Sequence, residues 1–138
     1  MDFQAAVTIW LVGALVGSMV FFGFAVAPTV FNSLNEEQAG RFLRAFFPKY
    51  YSWGLVIALI AAAAALSMDL IVGTGCLLVA LLFVFARQSL MPRINRARDD
   101  DLHGVPGARK RFQILHRWSV IINGVQMLLL VVVGYILL

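Results

Sequence analysis

A stripe of polar side chains near the C-terminus is the feature of this sequence best suited to binding a ligand. His116, Ser119, Asn123 and Gln126 are spaced three, four and three residues apart, and Gln113 continues the stripe by one more turn. In a helix, this spacing places all of these side chains on one face. Because the surrounding sequence is apolar and polar groups are costly against lipid, we expect the stripe to face protein or a water-filled pocket.

Three further polar residues are expected beside this stripe. Asn32 lies at the end of the first long apolar stretch, and Arg87 and Gln88 lie near the end of the third. No carboxylate is available at the depth of Arg87, so its side chain should snorkel toward the cytoplasm or meet a polar partner. Two interpretations of the cluster stay open: hydrogen bonds between helices, each worth about 0.6–2 kcal/mol, or a ligand pocket that opens to the cytoplasm.

Neither catalysis nor metal binding is supported by the residue pattern. The second histidine, His103, lies in a predicted loop, so the chain does not offer two histidines across the bundle for a haem. A nucleophile–base pair, a phosphate-binding loop and a zinc signature are all missing from the sequence. The single cysteine excludes an internal disulfide and a cysteine-rich metal site. We therefore expect a non-enzymatic protein with no cofactor and no metal.

Membrane helices are the elements that must position these residues. The chain has 138 residues, 62% hydrophobic and 13% charged, whereas soluble domains contain roughly 45–50% apolar and about 25% charged residues. This composition excludes a soluble enzyme and a disordered chain. Four apolar stretches, at about residues 5–31, 51–68, 70–91 and 118–138, are each long enough to cross a hydrocarbon core of about 30 Å. The predicted fold is an all-α integral membrane protein, a four-transmembrane-helix bundle formed by a single domain over residues 1–138.

The first connection between these stretches predicts an additional helix. Ser33 and Glu36 fit a capping box, and phenylalanines then recur at helical spacing between arginines. This pattern indicates a short amphipathic helix at about residues 35–47, which lies in the membrane interface between spans one and two. Pro48 is expected to end it.

The other two connections differ in length. Spans two and three are joined by little more than Ser67-Met68-Asp69, so they must be antiparallel neighbours, and Asp69 is expected to cap the third helix. Spans three and four are joined by a predicted cytoplasmic loop at about residues 92–111. A helical extension past Pro92 opens this loop, and the run of aspartates at residues 99–101 is expected to be flexible.

The first span also carries small residues at close spacing. Gly13 and Gly17 form one pair four residues apart, and Gly23 and Ala27 form a second. Small residues allow helices to approach closely. These four positions therefore predict helix packing, either inside one protomer or across a homodimer.

Basic residues predict the orientation in the membrane. All eleven lie in two segments, three of them between spans one and two and eight between the end of span three and span four. The positive-inside rule places both segments in the cytoplasm and both chain termini outside. Arg109, Lys110 and Arg111 precede the last span and are expected to contact anionic lipid headgroups. The expected partners are membrane lipid and a membrane protein or a second copy of the chain, and nucleic-acid binding is not needed to explain the net charge of +4.

Several short segments give the chain a family resemblance. They run from Phe24 to Phe31, from Gln38 to Gly40, from Phe46 to Tyr51, from Met91 to Asn95, and from Phe112 to Ser119 with Asn123 after it. In their order and spacing they resemble the bacterial domain-of-unknown-function family 4149, which is similar to eukaryotic transmembrane protein 205. The resemblance implies a four-span membrane protein. It matches Pro28, Pro48, His116, Ser119 and Asn123 to recurring family positions that have no established role.

Two functional hypotheses follow. The first is a non-enzymatic protein of the bacterial cytoplasmic membrane that binds a membrane partner or a small ligand in the cytoplasmic half of the bundle. The second is an oligomeric exporter of small cationic or metal-containing compounds, which the association of the eukaryotic branch with resistance to platinum drugs implies. The second needs an oligomer, because the outer half of the predicted bundle is almost wholly apolar.

Overall fold

Four long helices make up almost all of the described chain. The computed structural model describes residues 3–138, and we name its helices α1 (Phe3–Ser33), α2 (Glu36–Leu66), α3 (Leu70–Leu102) and α4 (Ala108–Leu137). Each is long and apolar enough to cross a membrane, and residues 3–138 contain no strand. The predicted all-α fold with four membrane-spanning helices is confirmed.

The helices form an antiparallel bundle in which each packs against its neighbours in the chain. α2 contacts α1 and α3, α4 contacts α3 and α1, and the closest packing is between α2 and α3. Small side chains make that close approach possible. The buried α2 surface includes Ala58, Ala61, Ala62 and Ala65, all at most 2% exposed, and it belongs to the same core cluster as Cys76 and Ala80 of α3.

Asp69 caps the N-terminus of α3, as the sequence predicts. Its Oδ1 accepts hydrogen bonds from the main-chain N–H groups of Ile71 at 2.8 Å and Val72 at 3.0 Å. These N–H groups have no partner inside the helix, and a carboxylate also suits the positive end of the helix dipole. The α2–α3 turn therefore needs only three residues, Ser67 to Asp69.

The predicted end of a separate interfacial helix at Pro48 is wrong. α2 is one continuous helix from Glu36 to Leu66, with Pro48 inside it. A proline removes one hydrogen bond and crowds the preceding turn, but an aromatic cluster on both sides of Pro48 holds the helix together. In that cluster Phe46, Phe47 and Tyr50 all pack around the ring of Phe22 from α1, at centroid distances of 5.1–5.5 Å.

The helix also begins with a different cap from the predicted one. Asn35 Oδ1 accepts from the Gln38 N–H at 2.9 Å, and Gln38 Oε1 accepts from the Asn35 N–H at 3.3 Å. This is a capping box two residues after the predicted Ser33, which instead is the last residue of α1. Asn35 serves as well as serine because both carry a short side-chain acceptor.

The predicted cytoplasmic loop at residues 92–111 is mostly helical. α3 continues to Leu102 and α4 already begins at Ala108, so the irregular segment is only residues 103–107. Gly104 and Gly107 adopt positive φ angles of 73° and 77° there, which glycine tolerates without strain. The aspartates at residues 99–101 are helical because arginines of α2 and α4 pair with them, as described below.

Two π-helical turns interrupt the α-helical pattern, one in α1 at Phe22–Val26 and one in α3 at Ala86–Leu90. Each is followed two residues later by a proline, Pro28 or Pro92. In each case the carbonyl four residues before the proline, which its ring would crowd, lies inside the wider turn. The π-helical turn thus accommodates the proline and lets the helix continue.

The helices are longer than a bilayer requires. They contain 30–33 residues, which at 1.5 Å per residue is about 45–50 Å, whereas the hydrocarbon core is about 30 Å thick. The surplus lies at one end, which carries the basic residues of α2, α3 and α4 and which we call the charged end (residues 36–49, 87–102 and 108–117).

Candidate functional site

The two deeper residues of the polar stripe face the interior of the bundle. Gln126 is 1% exposed, and its Nε2 donates to the main-chain carbonyl of Val79 in α3 at 3.3 Å. Asn123 Oδ1 accepts from the Tyr50 hydroxyl of α2 at 3.2 Å. Both bonds join α4 to another helix, so this half of the stripe is occupied by contacts within the chain.

The other half of the stripe, toward the N-terminus of α4, lies on the surface of the charged end. Ser119 donates to the His116 carbonyl of its own helix at 2.6 Å. His116 is exposed, and its ring stacks on that of Phe112 with the centroids 5.9 Å apart. Gln113 is exposed one turn further on. These side chains share a face with Asn123 but form no common pocket with it.

The structure does not bring the three remaining predicted residues to the stripe. Asn32 and Gln88 are exposed, and in residues 3–138 no side-chain hydrogen bond joins either of them, or Arg87, to α4. Arg87 instead lies on the surface shared by α3 and α2. The single polar cluster expected from the sequence is therefore not formed: Asn123 and Gln126 bond to α2 and α3, whereas Arg87 lines a separate groove.

Arg87 lines an open groove of about 510 Å³ between α2 and α3. The other lining residues all come from α2: Pro48, Lys49, Ser52, Trp53 and Val56. The groove thus contains two cationic side chains, one hydroxyl and a mainly apolar wall, and no acidic residue lines it.

The guanidinium of Arg87 is incompletely paired. Its Nε is buried, and it is the one buried side-chain nitrogen or oxygen in residues 3–138 that lacks a hydrogen-bond partner. Buried polar groups nearly always have a hydrogen-bond partner, and a buried group without one costs about 1–3 kcal/mol, more for a charged group. The positive charge of Arg87 therefore lies beside the groove without an anionic partner among the groove residues.

The two cations of the groove lie at the same depth. Lys49 is 17 residues before Leu66 and Arg87 is 17 residues after Leu70, counted from the two ends of the same tight turn. Both are therefore about 25 Å from that turn along antiparallel helices, close to the edge of a hydrocarbon core of about 30 Å. Trp53 and Val56 lie one and two turns deeper on α2.

The side chain of Trp53, which forms part of the groove wall, is held in place by a hydrogen bond. Its Nε1 donates to Ser18 Oγ of α1 at 3.2 Å, so the polar edge of the indole is satisfied outside the groove. The Ser52 hydroxyl donates to the Pro48 carbonyl at 2.7 Å and keeps its oxygen lone pairs for a further contact. Two of the lining side chains, Ser52 and Trp53, are thus held by hydrogen bonds within the chain.

A second set of contacts, beyond the groove, ties the three helices of the charged end together. Arg98 of α3 donates to the Glu36 carbonyl of α2 at 2.6 Å and lies 5.9 Å from the ring centroid of Phe112 in α4. Arg44 of α2 contacts Asp99 at 2.7 Å. The sequence analysis did not predict these contacts. The signal for them was the presence of arginines in one segment and of aspartates in another.

The basic triplet before the last span takes part in this network. Arg111 contacts Asp100 at 2.7 Å and Arg109 lies 4.0 Å from Asp101. Lys110 is exposed. The expected role of these three residues in binding lipid headgroups is thus shared, at two of them, with ion pairing inside the chain.

The small residues of α1 mostly lack neighbours. A methyl group added at Gly13, Gly17 or Gly23 would meet nothing within 4 Å, and Ala27 is only half-buried. The three glycines therefore do not serve close packing within the described chain. Of the two alternatives drawn from the sequence, the homodimer face stays a prediction.

These features define a class: small, helical, four-span membrane proteins with one strongly charged end. The chain belongs to the family described as Domain of unknown function (DUF4149), whose sequence pattern matches residues 10–103. No curated protein and no solved structure matches it. The likeness to eukaryotic transmembrane protein 205 therefore stays a prediction. The matched residues include the whole Arg87 groove, whereas the polar stripe of α4 lies outside them.

Proposed function

We propose that this protein is a non-enzymatic membrane protein that acts by binding a small anionic ligand in the groove around Arg87. The pair of cations Arg87 and Lys49 in one open groove that no acidic residue lines carries the proposal. A guanidinium offers planar, paired donors that match carboxylate and phosphate oxygens, and an ammonium adds a second positive charge. The contacts of Asn123 and Gln126 support a structural role for that part of the polar stripe.

The membrane orientation is part of the proposal. The charged end lies in the cytoplasm of a bacterial cell and both termini lie outside, because all eleven basic residues belong to segments at that end. Single cysteines placed at Gln4 and at Gly107, in a chain whose Cys76 is replaced by serine, provide the test. An impermeant thiol reagent added outside the cell should label the first position and not the second. Labelling of Gly107 alone would reverse the orientation.

The exporter hypothesis has weaker support. Two cations line the groove, and they would repel a small cationic cargo. An oligomer would have to supply the remaining path, and the open glycine face of α1 is the feature that favours one. A membrane-protein partner that binds the same face of α1 is also compatible with these surfaces.

Native mass spectrometry of the gently extracted protein tests the binding function. Wild type should retain a co-purifying anionic molecule that is lost in Arg87→Gln. Arg117→Gln is the matched control, since it removes the same charge from an exposed position of α4 outside the groove. Equal retention by wild type and Arg87→Gln would refute the proposal.

A further inference from the structure

The groove around Arg87 is cationic at one end and apolar at the other, deeper end. Its cations, Lys49 and Arg87, lie near the predicted membrane surface, and the deeper part is formed by Trp53 and Val56, which are 51% and 53% exposed. Val56 is ten residues before Leu66, or about 15 Å from the far end of the hairpin and thus near the middle of the hydrocarbon core. A single groove therefore joins a cationic rim to an apolar wall that faces lipid.

We infer that the groove binds an anionic phospholipid, whose headgroup phosphate contacts Arg87 and Lys49 and whose acyl chain lies along Trp53 and Val56. The inference rests on the proposed function and names the class of its ligand. A soluble anion would use the rim alone. A phospholipid would also cover the apolar wall and would reach the site sideways from the bilayer.

The charge distribution favours an anionic headgroup over a zwitterionic one. In residues 3–138 the ion pairs of the charged end involve Arg41, Arg44, Arg109 and Arg111, and neither Lys49 nor Arg87 belongs to one. Their two positive charges are therefore not neutralised by the chain. A zwitterionic headgroup would bring its own cation to a site that contains no carboxylate to receive it.

The geometry of α3 explains why Arg87 is available. It lies in the π-helical turn Ala86–Leu90, a wider turn that is often found at functional sites. Because Pro92 follows this turn, the sequence of α3 itself maintains it. The side chain lines the groove together with residues of α2, and the aspartates at residues 99–101 pair with other arginines.

Equilibrium binding of defined probes to the full-length protein in neutral detergent tests the inference. The probes are phosphatidylglycerol, phosphatidylcholine with the same acyl chains, and soluble glycerol phosphate. We expect phosphatidylglycerol to bind wild type about tenfold more tightly than it binds Arg87→Gln or Lys49→Gln, since each variant loses a charge-assisted contact. Arg117→Gln should bind like wild type. Size-exclusion chromatography and circular dichroism establish that each variant is folded.

A second variant tests the acyl chain separately from the headgroup. Val56→Asn should weaken binding of phosphatidylglycerol several-fold, because a polar amide replaces apolar surface at hydrocarbon depth. It should leave any binding of glycerol phosphate unchanged.

The outcomes separate the inference from the proposed function. Glycerol phosphate that binds as tightly as phosphatidylglycerol, and in an Arg87-dependent manner, would overturn the lipid assignment and leave the anion site standing. Equal binding of phosphatidylcholine and phosphatidylglycerol would also overturn the assignment. If no phosphate-bearing probe distinguishes wild type from Arg87→Gln, the lipid inference fails, and the proposed function fails with it when native mass spectrometry also shows equal retention by the two proteins.

Discussion

The inner hairpin α2–α3 and the flanking helices α1 and α4 have similar lengths but very different surroundings. In their most apolar stretches 39% of the α2 and α3 residues are buried, compared with 17% in α1 and in α4. Alanines and glycines bring α2 and α3 together along most of their length. The glycines of α1 are just as small, yet Gly13, Gly17 and Gly23 face open space.

The difference shows that a small residue in a membrane helix does not always indicate close packing against another helix. Between α2 and α3 it allows backbone approach, as at Gly54, where any side chain would overlap the Phe83 ring. On α1 the same residue type marks a surface that lipid or another protein covers. The hairpin is therefore the structural centre of the molecule, and the Arg87 groove is lined entirely by its residues.

The largest expected effect is from overpacking the hairpin. Gly54→Leu should lower the free energy of unfolding by about 3 kcal/mol, because the Phe83 ring occupies the space that the new side chain needs. Gly17→Leu, the matched change on α1, should alter it by less than about 0.5 kcal/mol, since it meets nothing. Thermal and denaturant unfolding of both variants in detergent micelles measures the contrast.

An equally large loss of stability in Gly17→Leu would contradict this contrast between the hairpin and α1. It would mean that the α1 face is packed in the natural protein. Chemical crosslinking in membranes would then show whether the same substitution separates a dimer.

A medium effect is expected where α4 joins the hairpin. Asn123→Leu removes the bond to the Tyr50 hydroxyl and should lower the free energy of unfolding by about 1–2 kcal/mol. A double-mutant cycle with Tyr50→Phe should give a coupling energy of about 0.6 kcal/mol. Strictly additive effects would show that the bond does not form. Loss of ligand binding without loss of stability would place Asn123 in the ligand site instead.

A gain in stability is expected at the groove itself. In delipidated protein, Arg87→Met should raise the free energy of unfolding by about 1 kcal/mol, because it removes a buried donor that lacks a partner. Added phosphatidylglycerol should stabilise wild type and have little effect on the variant. Arg117→Met is the control and should be close to neutral under both conditions. A loss of stability in Arg87→Met without lipid would indicate that the chain itself satisfies the guanidinium.

The smallest effect is expected in the ion pairs of the charged end. Arg44 and Asp99 are 45% and 48% exposed, so water and salt screen their attraction, and Arg44→Ala should cost about 0.5 kcal/mol. Exchanging the two residues, Arg44→Asp with Asp99→Arg, should restore most of the loss. The effect of Arg44→Ala should shrink as salt is added to the unfolding assay. A salt-independent loss would mean that the arginine acts through packing.

Local patterns were sufficient to predict much of the fold. The four spans follow from runs of apolar residues, and the α2–α3 hairpin and its Asp69 cap follow from three consecutive residues. Helix continuity across Pro48 was not predictable in this way. It depends on aromatic contacts with Phe22, which is distant in sequence, and the helical state of residues 99–101 likewise depends on arginines of two other helices.

The candidate site was harder to predict because facing directions depend on helix phase. The spacing of the stripe predicted that its residues face the bundle interior, which holds for Asn123 and Gln126 and is wrong for the exposed His116. Arg87 lies in a π-helical turn, where one extra residue rotates the following side chains by about 100° relative to an α-helix. Arg87 was expected beside the stripe of α4 because the two lie at a similar depth, but depth does not determine which neighbouring helix a side chain faces, and the structure places it against α2.

The three-residue turn Ser67 to Asp69 also has a consequence for biosynthesis. Short loops cost little entropy to close, so α2 and α3 are able to pair as soon as both have left the ribosome and entered the bilayer. Every residue that lines the Arg87 groove belongs to this hairpin. The groove therefore needs no residue of α4 in order to form.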